Sequence, residues 1–334
     1  MAFQGTSSRL VGGSVSAYHF GRFQSHIVRA HIHQPLEHQS RASLNAFESG
    51  LYSLSSMKYS TSTGNTDAHR NDDEGGKTYV ISTISRGIGL GFAKQLLNKT
   101  NNGAASQVIG FVRAQDSSQL PPDLSSLQKE YGYNRLRIIY NVDLQNEDSV
   151  DKAVNKVKDL CSSIDILFNV AGILGDGKTT PGPERSITQI DRKWLTETMD
   201  INVISHVQVT SGLIPLLKRK KDGLPSKIVN LSARVGSISD NGLGGWFSYR
   251  MSKSALNQFT KTLSIEMKRF NCICISIHPG TTDTDLSVPF QKNVKKDKLF
   301  SVEYSCQSML NVVNGLTQEN NGKFYDYAGD EIDW

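Results

Sequence analysis

From residue 78 to the C-terminus, short runs of β-branched and apolar residues alternate with longer stretches whose apolar positions recur every three to four residues. The short runs predict strands with cores at 78–82, 107–112, 136–142, 165–169, 227–231, 272–278 and 323–327. The longer stretches predict helices over 88–98, 147–162, 194–217, 249–270 and 302–316. Side chains leave a strand with period two and a helix with period 3.6, so the alternation identifies βαβ units. Such units predict an α/β fold, here a single doubly wound, parallel, seven-stranded sheet with helices on both faces.

The first 70 residues carry no such period. They are rich in Ser, Arg and His and nearly free of acids. Arg9, Arg22, Arg29, Arg41 and Lys58 against Glu37 and Glu48 leave +3 in the first 66 residues, so the total of +5 leaves only +2 for the rest. Leu10 to Val15 is broken by glycines, unlike a secretory core, so residues 1–70 read as an organellar transit peptide for the mitochondrion or chloroplast. The alternative is a disordered extension with no address on a cytoplasmic protein. Residues 71–77 then form a linker and 78–334 one domain. An apolar fraction of 37% and a charged fraction of 21% fit a globular chain. No window approaches the roughly 18 apolar residues of a membrane span, so a membrane partner is not expected. The basic clusters at 218–221 and 292–298 lack interleaved aromatics, so they read as solvated surface and no nucleic-acid partner is expected. Cys161, Cys272, Cys274 and Cys306 show neither a CxxC pair nor a disulfide framework, and His206 and His278 stand alone, so no metal is expected.

Two places carry chemistry. The first strand runs into Ser82, Thr83, Ile84, Ser85, Arg86, Gly87, Ile88 and Gly89, where a glycine-bearing turn opens onto a helix. N–H groups and the positive end of the helix dipole favour a diphosphate there, and glycine lets the backbone approach it. At the end of the second strand stands Arg113, where an NAD site would place an acid against the ribose hydroxyl. With Arg86 it offers two guanidinium groups suited to a 2′-phosphate, so NADP(H) is favoured over NAD(H). The second place is Tyr249 and Lys253. Their spacing of four puts both on one helix face, and the ammonium can stabilise a phenolate whose unperturbed pKa lies near 10.

From 78 to 334 the chain resembles the short-chain dehydrogenase/reductase family and, within it, the C-factor and sniffer-type carbonyl reductases. The resemblance rests on 230–241 (NLSARVGSISDN), 244–257 (GGWFSYRMSKSALN) and 327–334 (YAGDEIDW). It implies a Rossmann-type fold and a role for each matching residue. Asp143 resembles the acid that helps bind adenine. Asn169, Val170, Ala171 and Gly172 resemble the Asn-Asn-Ala-Gly turn lining the cofactor site. Asn202 matches the asparagine whose main-chain carbonyl holds a relay water. Pro279, Gly280, Thr281 and Thr284 match the loop at the nicotinamide end.

Three departures stand out: Thr83 replaces the first glycine of the turn, Val170 an asparagine, and Ala233 the second serine of Asn-x-Ser-Ser, usually the catalytic one. Ser232 is the preferred substitute and Ser237 the fallback. The implied reaction is hydride transfer to a small carbonyl compound, or its reverse. Tyr249 donates the proton, Lys253 assists, a serine polarises the carbonyl and Asn202 maintains the relay. The alternative is a catalytically weak NADP(H)-binding sensor or interaction protein. Segment 286–300, with Val288, Phe290 and several lysines, is expected to form a lid over a partly apolar, acidic carbonyl substrate. The apolar face of 249–270 is compatible with the dimers or tetramers common in the family.

Overall fold

The computed structural model describes residues 76–98, 100–101 and 104–334, so the expected transit segment and nearly all of the linker lie outside the described residues. Seven parallel strands form the sheet: β1 (Thr78–Ile81), β2 (Gln107–Phe111), β3 (Leu136–Ile139), β4 (Ile166–Asn169), β5 (Ser226–Leu231), β6 (Cys272–His278) and β7 (Phe324–Asp326). Their order across the sheet is 3-2-1-4-5-6-7, the doubly wound order expected. Consecutive strand residues serve opposite faces. Tyr79 and Ile81 join one core and Val80 the other, and Ile273, Ile275 and Ile277 oppose Cys272 and Cys274.

Among the described residues seven α-helices cover the two faces: α1 (Gly87–Leu97), α2 (Pro122–Tyr131), α3 (Glu147–Leu160), α4 (Arg192–Met199), α5 (Ser205–Leu217), α6 (Phe247–Met267) and α7 (Val302–Asn314). Leu90, Phe92, Leu96 and Leu97 of α1, with Met309, Leu310 and Val313 of α7, fill one core. Val150, Val154 and Val157 of α3, Val209 and Leu213 of α5 and Met267 of α6 fill the other. Fully burying such a side chain contributes about 1.5–3 kcal/mol, so each layer is held by several independent anchors. Local signals set the starts: Asn146 accepts from Ser149 N–H ahead of α3, Asp191 from Trp194 N–H ahead of α4, and Ser301 from Tyr304 N–H ahead of α7.

Helix α2 was not expected, because its apolar stripe is only Leu124 and Leu127 between polar residues. The long helix expected over 194–217 is a continuous run of α4, a π-helical segment at Asp200–Ile204, and α5. A π turn spreads one extra residue into the ladder, which neither composition nor period announces. No helix among the described residues is long and apolar enough to cross a membrane.

Candidate active site

Strand β1 lies between β2 and β4, so the chain leaves it for opposite edges of the sheet and opens a crevice at the C-terminal strand ends. One wall is the turn from β1 to α1. Gly87 adopts a left-handed φ of +54°, and a Cβ on Gly89 would be driven into the Thr83 carbonyl oxygen. The turn is therefore set by main-chain contact, and a threonine at 83 leaves that contact in place. Ile84 packs over Gly110 of β2, which likewise has no room for a Cβ. Arg86, the residue capping α1, has extended backbone and makes no side-chain cap, leaving the first-turn N–H groups of α1 to other partners. Ser85 and Ile88 flank it, both half-buried.

Around this turn stand the other expected cofactor residues. Ser82 Oγ accepts from the main-chain N–H of Val170 at 2.9 Å and of Ala171 at 3.4 Å. The bond that holds this loop comes from backbone, so valine in place of asparagine does not remove it. Arg113 is exposed at the end of β2. Arg86 is also exposed, and its guanidinium pairs with Asp285 at 2.7 Å. Asp143 caps the turn before α3, its carboxylate accepting from Gln145 N–H at 3.1 Å. Asn169 is fully buried beneath the crevice, donating to Thr210 Oγ1 and Asn230 Oδ1, each at 2.8 Å. Asn230 donates in turn to Thr260 Oγ1 at 2.8 Å, and Ser276 Oγ donates to the same oxygen at 2.9 Å.

The opposite wall is the end of β5 and the start of α6. Lys253 is buried and its Nζ donates to the Leu231 carbonyl at 2.8 Å, while lying 5.8 Å from the centre of the Tyr249 ring. Burial pushes the Lys253 ammonium down to about 7 and raises the Tyr249 phenol well above its ordinary value. Both shifts favour the uncharged forms, because each side chain has lost water without gaining a counter-ion. A Cβ on Gly172 would lie 3.5 Å from Asn202 Oδ1 and 3.6 Å from Lys253 Nζ, so the loop after β4 reaches the lysine of the expected pair.

Asn202 sits in the π-helical segment, where its amide grips Ile173 at both N–H (2.7 Å) and carbonyl (3.0 Å) and donates to Ser252 Oγ at 3.0 Å. Its side chain thus staples the β4 loop to α6. One turn later His206 is buried, its Nε2 2.9 Å from the Ala171 carbonyl, and burial together with the nearby Lys253 holds its pKa down at about 3. His278 ends β6 and is held at about 4, by burial first and Arg234 second.

The two candidate serines face elsewhere. Ser232 Oγ donates to Asn257 Oδ1 at 2.7 Å, and Ser237 Oγ donates to the Asp333 carbonyl at 2.5 Å. The geometry therefore brings Tyr249, Lys253 and Asn202 together with Gly172, while neither serine proton points into the pair.

Past β6, Pro279 accepts from Ser305 Oγ at 2.7 Å, and Gly280 takes a φ of +74° under Phe300 and Tyr327. Thr281 pairs with Leu299 in a short parallel ribbon. Thr284 closes toward the turn, its Cγ2 3.5 Å from where a Cβ on Gly87 would sit. The expected lid contains two short 3-10 helices, Val288–Asn293 and Lys296–Lys298. Its Phe290 packs 5.2 Å from Trp246, which in turn meets the Tyr249 ring edge-on at 6.3 Å.

Sequence reasoning passed over Trp246 and Glu184. The signal for Trp246 was its place after Gly244 and Gly245, since three successive positive φ values (+65°, +66° and +54°) reverse the chain just ahead of α6. Glu184, in the loop after β4, is buried against α6, and nothing in its sequence neighbourhood announces that.

Comparison with known proteins agrees with this architecture. The family model for short chain dehydrogenase matches residues 77–295. C-signal of Myxococcus xanthus is 30% identical over 171 residues, covering 51% of this chain and 93% of its own. An uncharacterised oxidoreductase of Schizosaccharomyces pombe is 27% identical over 76% of this chain and 96% of its own. Among solved structures, the carbonyl reductase Sniffer of D. melanogaster superposes with a TM-score of 0.67 at 28% identity, covering 78% of this chain and all of its own. The NADPH-bound carbonyl reductase from chicken fatty liver gives 0.66 at 26% identity, covering 78% and 99%.

Proposed function

Since the chain belongs to the short-chain dehydrogenase family of oxidoreductases, we propose that it reduces a small carbonyl compound with NADPH, Tyr249 supplying the proton. The observation that carries this reading is the pair at the start of α6: a half-buried phenol and a buried ammonium one turn apart, the ammonium anchored to the end of β5.

The residues of the crevice fit a dinucleotide. The α1 turn has Gly87 in the left-handed region and Gly89 where a Cβ would strike the Thr83 carbonyl, and its first-turn N–H groups have no side-chain cap. Arg113, with no acid at the end of β2, favours the 2′-phosphate of NADP(H) over the free ribose of NAD(H), and Arg86 adds to it only on leaving Asp285. Bound there, the nicotinamide supplies the hydride. Everything else falls to the chain's own groups.

At neutral pH the Tyr249 phenol is protonated, as a proton donor must be, but burial raises its pKa and so makes it a weaker acid. The Lys253 charge lowers the cost of the phenolate left when that proton moves to the developing alkoxide. Asn202 holds the β4 loop against α6 and so fixes the site's floor relative to the tyrosine. Ser232 polarises the carbonyl only after its hydroxyl turns from Asn257.

That last point favours a second reading, a chain that binds NADP(H) and turns over weakly as a sensor. Fluorescence titration with NADPH and NADH, followed by NADPH oxidation over aldehydes, ketones and quinones, separates the two. The reductase requires preferential NADPH binding and turnover that falls by about a thousandfold in Tyr249→Phe, within the range of general acid catalysis. Tight binding with no turnover on any carbonyl selects the sensor.

A further inference from the structure

Glu184 is among the most deeply buried carboxyl groups of the described residues, at 3% exposure, and no ion pair among those residues includes it. A carboxyl group without a cation is costly to bury unless fixed donors replace water. The donors here all belong to the start of α6. Oε2 accepts from Ser248 N–H at 3.1 Å, and Oε1 accepts from the Ser248 hydroxyl. The main-chain carbonyl of Glu184 accepts from Trp246 N–H at 2.5 Å.

Helix α6 lacks a cap of its own. Its N-cap residue is Trp246, which makes no side-chain cap and sits in the left-handed region, a conformation a bulky residue holds only under constraint. The uncapped N–H groups and the positive end of the dipole are met from outside, by a carboxyl group on the loop after β4. Both ends of Glu184 thus grip residues 246–248, and the next residue is Tyr249.

We propose that Glu184 is a positioning residue, capping α6 from the loop after β4 and thereby holding the Tyr249 phenol, with Trp246 beside it, in line with the substrate carbonyl. The same loop carries Gly172 against Lys253. Glu184 therefore ties the floor of the site to its proton donor. This rests on the reductase reading above, so its test includes a measurement that needs no turnover.

The full chain is compared with Glu184→Ala, Glu184→Gln and Ser248→Ala. Glutamine keeps an acceptor for Ser248 N–H and offers a donor to its hydroxyl. Glu184→Ala should lower kcat by about 30-fold, the scale of a sub-ångström displacement of a reacting group, while the Kd for NADPH stays within about twofold. Glu184→Gln should recover to within about fivefold of the parent, and Ser248→Ala should fall between the two. Hydrogen exchange of the peptide spanning 245–250 should quicken in Glu184→Ala and not in Glu184→Gln. An unchanged kcat in Glu184→Ala, or equal losses in the alanine and glutamine variants, overturns the proposal. Should Glu184→Ala not fold, Glu184→Gln and Ser248→Ala decide it: unaltered kcat and unaltered exchange in Ser248→Ala overturn it. If the parent chain turns over no carbonyl, the reductase reading fails, and the exchange data alone decide whether the clamp exists.

Discussion

On the β1 side of the crevice the contacts that set geometry use only the main-chain atoms of the two departing residues: Gly89 lies against the Thr83 carbonyl, and the Val170 N–H donates to Ser82 Oγ. On the β5–α6 side they are side-chain contacts, from Lys253 to the Leu231 carbonyl, from Asn202 to Ile173 and Ser252, and from Glu184 to Ser248. That wall tolerates a change of side chain at 83 or 170, provided the glycines and Ser82 stay. A wall built of a few side chains does not. The departures at Thr83 and Val170 fall on the tolerant wall and leave its contacts standing, whereas Ala233 falls on the other and removes a hydroxyl outright.

The contrast is broken most severely by Gly89→Ala. The added methyl must displace the Thr83 carbonyl, and NADPH affinity should fall by about a hundredfold, as calorimetry would measure, with no comparable change from Thr83→Gly.

Next comes pH. Lys253 is protonated below about 7 in the folded chain and keeps its proton to about 10.5 when unfolded. In the proposed mechanism the folded chain loses the charge that assists Tyr249 as pH rises through 7, so kcat/KM for reduction should fall about fivefold between pH 7 and 8 and about tenfold more by pH 9. Over the window from 7 to 10.5 the unfolded chain binds the extra proton, so this group's contribution to stability rises with pH. Activity and thermal stability should therefore move in opposite directions, and the stability slope should flatten in Lys253→Met.

Arg113→Ala should weaken NADPH binding by about fivefold and leave NADH unchanged, since the exposed guanidinium is screened by solvent. The smallest effect is Ser232→Ala. With its proton given to Asn257, its removal should lower kcat by less than about threefold, and a loss near that of Tyr249→Phe would show that the hydroxyl turns during the reaction.

Much of this was legible beforehand because it is periodic or local. The seven strands and their doubly wound order follow from alternation, and Tyr249 with Lys253 follows from a spacing of four. Contacts between distant segments were not legible. That Arg86 is paired with Asp285, 199 positions on, or that Glu184 caps a helix 64 positions away, leaves no mark in either local neighbourhood. The serine choice failed to resolve for the same reason, because Asn257 and Asp333, the partners of Ser232 and Ser237, come from separate elements. Helix α2 and the π turn were missed because a weak stripe and a one-residue widening barely disturb the pattern.

The buried row of Asn169, Asn230 and Ser276 also has a bearing on how the sheet assembles. These three residues are register partners across β4, β5 and β6. The strands around them are nearly uniform apolar runs, and hydrophobicity alone would accept a neighbour shifted by two positions. A one-residue slip would turn every side chain to the wrong face. A two-residue slip would keep the faces but strand the amides among aliphatic groups, at about 1–3 kcal/mol for each polar group left unpaired. The row works as a combination lock for the parallel sheet: only one alignment lets the Asn169 and Asn230 amides and the Ser276 hydroxyl donate to partners within it.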